Sequence, residues 1–257
     1  MATAMITGGT SGIGLAFARE LAGRGTDLVL VARDAQRLAS TAAEFEEKFG
    51  VSVETHQADL SVREDVDRIA NIIEDPSKPL DLFINNAGFG LHSTVLDPAH
   101  IDDHARALDV MCLAVLILGG AAGRAMRARG EGRIINVASS AGFIYTGNYS
   151  AVKAWAYNYS ESLGVELHGT GVTVTALCPG WVKTEFHQRA GIKAHNLPDV
   201  VWINIETLVR QCLSDAEKGK PVSIPSFKWK AALVVAKFAP KSFLRWFSRK
   251  LTNSRKK

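Results

Sequence analysis

Short runs of apolar, mostly β-branched residues recur along this chain at Thr3 to Thr7, Asp27 to Ala32, Val51 to Gln57, Leu80 to Asn85, Gly132 to Ala138 and Val172 to Cys178. They do not alternate polar with apolar, so each reads as a strand buried on both faces. Between them lie segments of helical period at Gly12 to Arg24, Ala35 to Phe49, Val62 to Glu74, Ile101 to Arg129 and Asn148 to His168. Strands that alternate with helices in this way form βαβ units. The series therefore predicts an α/β fold, a doubly wound parallel sheet with helices on both faces. Val200 to Glu217 adds a helix, and Pro221 to Pro225 a last strand at the sheet edge, where flanking prolines are tolerated. The expected division is residues 1–226 as one dinucleotide-binding catalytic domain and 227–257 as a basic amphipathic tail.

With 257 residues, 47% of them hydrophobic and 22% charged, the chain can bury a full core without metals or cross-links. Cys112, Cys178 and Cys212 show no paired spacing, which argues against a disulfide framework and a zinc site and for a reducing, cytoplasmic setting. The opening residues lack a secretory pattern, so the chain is expected to begin with structure. The longest apolar run, Val110 to Ala122, has 13 residues, short of the roughly 20 that a spanning helix needs, so no transmembrane helix is expected. Charge is unevenly spread: residues 227–257 carry ten Lys and Arg and no acid, which leaves the body at −6 within a total of +4.

Between the first strand and first helix stands Thr7-Gly8-Gly9-Thr10-Ser11-Gly12-Ile13-Gly14. Glycines there let backbone approach a pyrophosphate while the amides and dipole of the helix N-terminus face the anion. The Gly-x3-Gly-x-Gly spacing resembles the short-chain dehydrogenase/reductase family, and further motifs extend the resemblance over about residues 1–220. It implies a Rossmann-like fold, with the cradle residues Gly8, Thr10, Ser11, Gly12, Ile13 and Gly14 holding the cofactor. Asp59 and Leu60 after strand three resemble the family's adenine contact. Asn85-Asn86-Ala87-Gly88 resembles its sheet-stabilising, cofactor-adjacent turn, which implies roles for Asn85, Ala87 and Gly88. Cys178-Pro179-Gly180-Trp181-Val182-Lys183-Thr184 resembles the segment beside the nicotinamide, which implies contacts from Pro179, Gly180, Val182 and Thr184.

Strand two ends in Ala32-Arg33, where an acidic residue would favour a free ribose 2′-hydroxyl. A guanidinium instead pairs with a 2′-phosphate, so the expected cofactor is NADP, with Arg37 a second cation. Asp34 would repel that phosphate if it turned inward, but its position suits the N-cap of the following helix.

Tyr149 and Lys153 are four residues apart at the start of a helix, so they share a face. An ammonium beside a phenol favours phenolate and is expected to bring Tyr149 toward neutral pH. The resemblance implies that Tyr149 is the general acid for ketone reduction, that Lys153 also holds the nicotinamide ribose, and that Ser139 orients the substrate oxygen. Two positions depart from the family. Met111 stands where the family carries an asparagine, and the interval of ten from Ser139 to Tyr149 is shorter than usual. Two functions stay open: an NADP-dependent oxidoreductase acting on a carbonyl or secondary alcohol, or a catalytically impaired nucleotide-binding sensor or membrane-associated scaffold.

Of the seven histidines only His100 and His104 have a ligand-like i, i+4 spacing, without a third partner, so no metal is expected. Phe186, Ile192 and Leu197 fall where the family carries its substrate lid. In the tail, Trp229, Leu233 and Ala236, then beyond Pro240 Phe243, Trp246, Phe247 and Leu251, lie at helical spacing among Lys and Arg. Such a surface suits either an anionic bilayer or packing on its own domain or a second subunit. Docking at a membrane surface favours a lipophilic substrate of 3-oxoacyl or sterol type, while the acidic body disfavours nucleic acid. The resemblance implies a homodimer or homotetramer built on the two long helices.

Overall fold

The computed structural model describes residues 2–91, 93–182 and 202–254. A seven-stranded parallel sheet in the order β3-β2-β1-β4-β5-β6-β9 forms its centre. The strands are β1 (Thr3–Thr7), β2 (Asp27–Ala32), β3 (Val53–Gln57), β4 (Leu82–Asn85), β5 (Gly132–Val137), β6 (Val172–Leu177) and β9 (Val222–Ser223). A second, two-stranded sheet joins β7 (Trp181–Val182) to β8 (Trp202–Ile203). Ala4, Met5 and Ile6 of β1 are fully buried, as are Phe83 and Ile84 of β4, because helices cover both faces. Met5 and Phe83 belong to one apolar cluster and Ala4, Ile6 and Ile84 to the other. Successive side chains of a strand point to opposite faces, which explains why the runs are continuously apolar.

The helices are α1 (Gly12–Gly23), α2 (Ala35–Phe49), α3 (Arg63–Ile73), α4 (Ile101–Leu108), α5 (Ala114–Arg129), α6 (Asn148–Glu166), α7 (Ile205–Glu217), α8 (Phe227–Phe238) and α9 (Lys241–Ser254). The order β3-β2-β1-β4 reverses between β1 and β4, and the crevice at that switch point is where an open α/β sheet binds its ligand.

The long helix expected over 101–129 is interrupted by a π-turn at Asp109–Leu113 that contains Met111. This helical stretch, 98–129, is by length and composition apolar enough to cross a membrane, which corrects the expectation drawn from counting unbroken apolar runs. Half of its most apolar window is buried within the protein, as befits a core helix.

The last two helices pack on the rest of the fold. Leu233 of α8 is buried with Ala138, Ala156, Ala176 and Cys178. From α9, Leu244 and Ser248 are buried, and the Ser248 hydroxyl accepts the Tyr145 backbone N–H at 3.0 Å. The inner faces of both helices are thus occupied by their own chain. Phe227, Val235, Phe238, Phe243 and Trp246 face outward.

Candidate active site

The glycine-rich turn is held from below. Thr7 is buried, and its hydroxyl accepts the backbone N–H groups of Asn86 at 2.9 Å and Ala87 at 3.0 Å. The Asn86 amide donates to the carbonyls of Thr7 at 2.9 Å and Gly8 at 3.3 Å. At Gly14 an added Cβ would overlap the Gly8 carbonyl oxygen and the Asn86 amide, so only glycine lets α1 begin this close to the turn. Ser11 is the N-cap of α1 without a side-chain cap bond, and no acid stands in the first turn. The positive end of α1 is therefore left to a ligand rather than neutralised by its own chain. Gly8, Thr10, Ser11, Gly12 and Ile13 are all partly exposed along this edge. Asn86 and Thr7 were missed in sequence, although the Asn-Asn doublet was the available signal.

Asn85 fits the sheet-stabilising part of its expected role: its buried amide donates to Asn136 Oδ1 at 3.0 Å and to the Val115 carbonyl at 3.3 Å, which braces β4 against β5 and α5. The Asp59 carboxylate receives the Ser61 hydroxyl at 2.7 Å and Arg106 at 2.9 Å. These bonds, with Arg106 and Arg33 nearby, hold it below the usual carboxylate range despite the opposing effect of burial. Leu60 is buried beside it.

Arg33 is exposed at the end of β2. Asp34 caps α2, accepting the Arg37 N–H at 3.0 Å, and also faces the Arg37 guanidinium at 3.6 Å. The acid at this corner is thus turned toward Arg37.

Tyr149 and Lys153 share one face of α6, with the Lys153 ammonium 5.9 Å from the Tyr149 ring centre. Lys153 is buried and donates to the Val137 carbonyl at 2.8 Å. Ser139 caps the short 3-10 turn Ser140–Phe143 through the Ala141 N–H at 3.1 Å, and its hydroxyl hydrogen-bonds the Tyr149 phenol. Gly142 lies so close to α6 that an added Cβ would press on the Lys153 carbonyl and the Ala154 nitrogen. The 3-10 turn of the shortened interval thus packs directly on α6 beside Lys153.

Burial outweighs the other influences here. It pushes Tyr149 up to about 12, against the opposing hydrogen bond from Ser139. It pulls Lys153 down to about 8, against the opposing influence of the Cys112 and Cys178 thiols. The shift runs opposite to the expected one toward neutral pH, because burial penalises the phenolate more than the Ser139 bond favours it.

Met111 is buried, with its sulfur 3.0 Å from where a Cβ on the exposed Gly88 would stand, and Lys153 Nζ is 3.7 Å from that same point. The π-turn keeps the bend at this position without an asparagine side chain. Ala87 lies half-buried at the turn. The Pro179 carbonyl accepts the Ser140 N–H at 2.9 Å, and Val182 is buried in β7. Thr184, Phe186, Ile192 and Leu197 lie outside the described residues. His104 is buried between Ser93 and Asn148, each at 3.3 Å, whereas His100 pairs with Asp103 on the surface at 3.1 Å.

A cradle at a switch point beside a Tyr, Lys and Ser cluster is what the family resemblance implies, and the comparisons agree. The short chain dehydrogenase family profile matches residues 2–194. The chain belongs to the short-chain dehydrogenase/reductase family. Within it, a Streptomyces violaceoruber protein assigned as ketoacyl reductase 1 of the granaticin polyketide synthase is 35% identical over 195 residues, 72% of this chain and 70% of that protein. The short-chain dehydrogenase from Sphingobium yanoikuyae in complex with NADPH superposes with a TM-score of 0.83 at 33% identity, covering 90% of this chain and 92% of that one. The L-sorbose reductase from Gluconobacter frateurii, complexed with NADPH and L-sorbose, gives 0.75 at 27% identity over 87% and 94% of the two chains.

Proposed function

We propose that this dehydrogenase/reductase is NADP-linked and interconverts a carbonyl and a secondary alcohol on a hydrophobic substrate of 3-oxoacyl or sterol type. The observation that carries the reading is the convergence of Tyr149, Ser139 and Lys153 beside an uncapped helix N-terminus whose neighbouring strand ends in an exposed Arg33. The NADPH complexes of the Sphingobium and Gluconobacter proteins support the choice of cofactor.

The residues present fit such a dinucleotide. Backbone amides from Thr10 to Gly14 would meet its pyrophosphate, Arg33 its 2′-phosphate, and Lys153 its nicotinamide ribose. Gly88, Pro179, Gly180 and Val182 would border the nicotinamide end. When bound, the dinucleotide supplies the hydride. Tyr149, held protonated by burial, gives its phenolic proton to the carbonyl oxygen as that oxygen gains negative charge. Ser139 donates a hydrogen bond to the same oxygen and fixes it within reach of the phenol. Lys153 then places positive charge beside the phenolate left behind.

The hydrophobic substrate class is supported by the ketoacyl reductase relative and by the outward aromatics of α8 and α9. We read these helices as a peripheral contact with the cytoplasmic face of a membrane, where ten cations without an acid meet anionic lipid. A homodimer or homotetramer is supported by Leu108, Leu113 and Leu116, which stay exposed around a shallow hollow of about 230 Å³ closed by Cys112 and Trp155. The deciding experiment follows NADPH oxidation across a panel of ketones by wild type and Tyr149→Phe. Turnover by wild type alone supports the reductase. Background rates in both favour the nucleotide-binding sensor.

A further inference from the structure

A cleft of about 480 Å³ separates α9 from the segment that joins Ser139 to Tyr149, lined by Tyr145, Arg245, Ser248, Arg249 and Thr252. Arg245 and Arg249 are one helical turn apart and both exposed. No acid stands anywhere in residues 227–257, and neither guanidinium has a carboxylate partner among the described residues. The buried Ser248 hydroxyl accepts the Tyr145 backbone N–H, which ties α9 to the opposite side of the cleft. Tyr145 is 52% exposed and adds a phenol at the rim.

We propose that this cleft binds the phosphate of an anionic membrane lipid. Two planar guanidinium forks with a phenol beside them match the oxygens of a phosphate ester better than a single carboxylate, which offers only two acceptor atoms. The lipid source follows from the rest of α9. Phe243, Trp246 and Phe247 remain 48%, 57% and 39% exposed on the same helix, and a site for a soluble phosphate gains nothing from an apolar border. Aromatic rings at headgroup depth with cations beside them are the arrangement of an interfacial helix. The inference rests on the membrane reading above and deepens it, because it places one lipid headgroup against the four-residue approach to Tyr149. A bilayer seated there lies at the mouth of the catalytic cleft, where a lipophilic ketone leaves the membrane.

The test uses the full chain and phosphatidylcholine vesicles with or without phosphatidylglycerol. Three variants are compared with wild type: Arg245→Gln with Arg249→Gln, the equal charge loss Lys228→Gln with Lys230→Gln on α8, and Phe243→Ser with Trp246→Ser. The arginine pair is expected to lose about tenfold or more of its partitioning to anionic vesicles, and the lysine pair clearly less. Melting temperatures and turnover of a soluble ketone are expected to stay at wild-type values in the arginine pair. Equal losses in the arginine and lysine pairs overturn the site and leave the membrane reading standing. Failure of wild type to bind either vesicle overturns both. Binding of glycerol 3-phosphate at the arginines without vesicle binding assigns the cleft to a soluble ester and overturns the lipid.

Discussion

Trp229 packs on Gly180 so closely that a single added methyl group would overlap the indole. The contact ties the first tail helix to the segment 179–182. The second tail helix reaches the stretch between Ser139 and Tyr149 through Ser248 and Tyr145.

Gly180→Ala is expected to force the indole outward and to cost about 1–3 kcal/mol, the usual range for overpacking. Thermal melting measures the loss. Trp229→Ala in the same background should cost less than it does in the wild type, because removing the indole relieves the overlap at this one contact. Simple additivity of the two losses would show that the contact carries no energy.

Tyr149→Phe removes the phenolic proton assigned above to the substrate oxygen and is expected to lower kcat about 10²- to 10⁴-fold with little change in NADPH affinity. Ser139→Ala should lower kcat by a smaller factor. It should also raise the apparent pKa of the phenol seen in the pH–rate profile, since the bond that favours phenolate is gone. An unchanged profile would remove Ser139 from the site.

Lys153 gives a pH signature in stability. Its pKa falls to about 8 on folding from an ordinary value of 10.5, so between those values the native state binds fewer protons than the unfolded chain. This group therefore makes the ligand-free protein more stable as pH rises through that window. Cys112, raised to about 11, and Cys178, raised to about 12, act in the opposite sense, because burial keeps both thiols protonated in the folded state. The Lys153 part is isolated by subtraction. A Lys153→Met variant is expected to exceed wild type in stability by most below about pH 8, with the gap closing as pH rises. Denaturant melts at several pH values measure it, and a gap independent of pH would refute the buried-cation account.

Arg33→Asp is expected to weaken NADPH binding about 10- to 100-fold, the loss of a charge-assisted pair with a 2′-phosphate plus a new repulsion. NADH binding should change little or improve. Fluorescence titration at low salt checks both. Equal weakening toward the two cofactors would place the 2′-phosphate elsewhere.

The strands, the sheet class and the glycine-rich and Tyr-x3-Lys motifs were legible in the sequence because each is written in residues close together along the chain. Continuous apolar runs report burial on both faces, glycines report a backbone that must approach something, and a four-residue interval on a helix fixes a shared face. Capping by Asp34 was legible for the same reason. What escaped depends on neighbours distant in sequence. The partners through which Asn85 braces the sheet, Asn136 and Val115, stand on other elements. The role of Asn86 depends on the loop 78 residues away that it supports.

The sequence by itself determined the βαβ order, the side of the sheet on which the site lies, and which residue types can trade a proton and hold an anion. Only the tertiary structure decided how strongly those groups hold their protons, since the Tyr149 and Lys153 shifts come first from burial, and burial is a property of the packed whole. It also decided the place of the tail. An amphipathic pattern states that one face must be covered, and only packing shows that Gly180 and Ala138 cover it while the aromatic face remains turned to solvent.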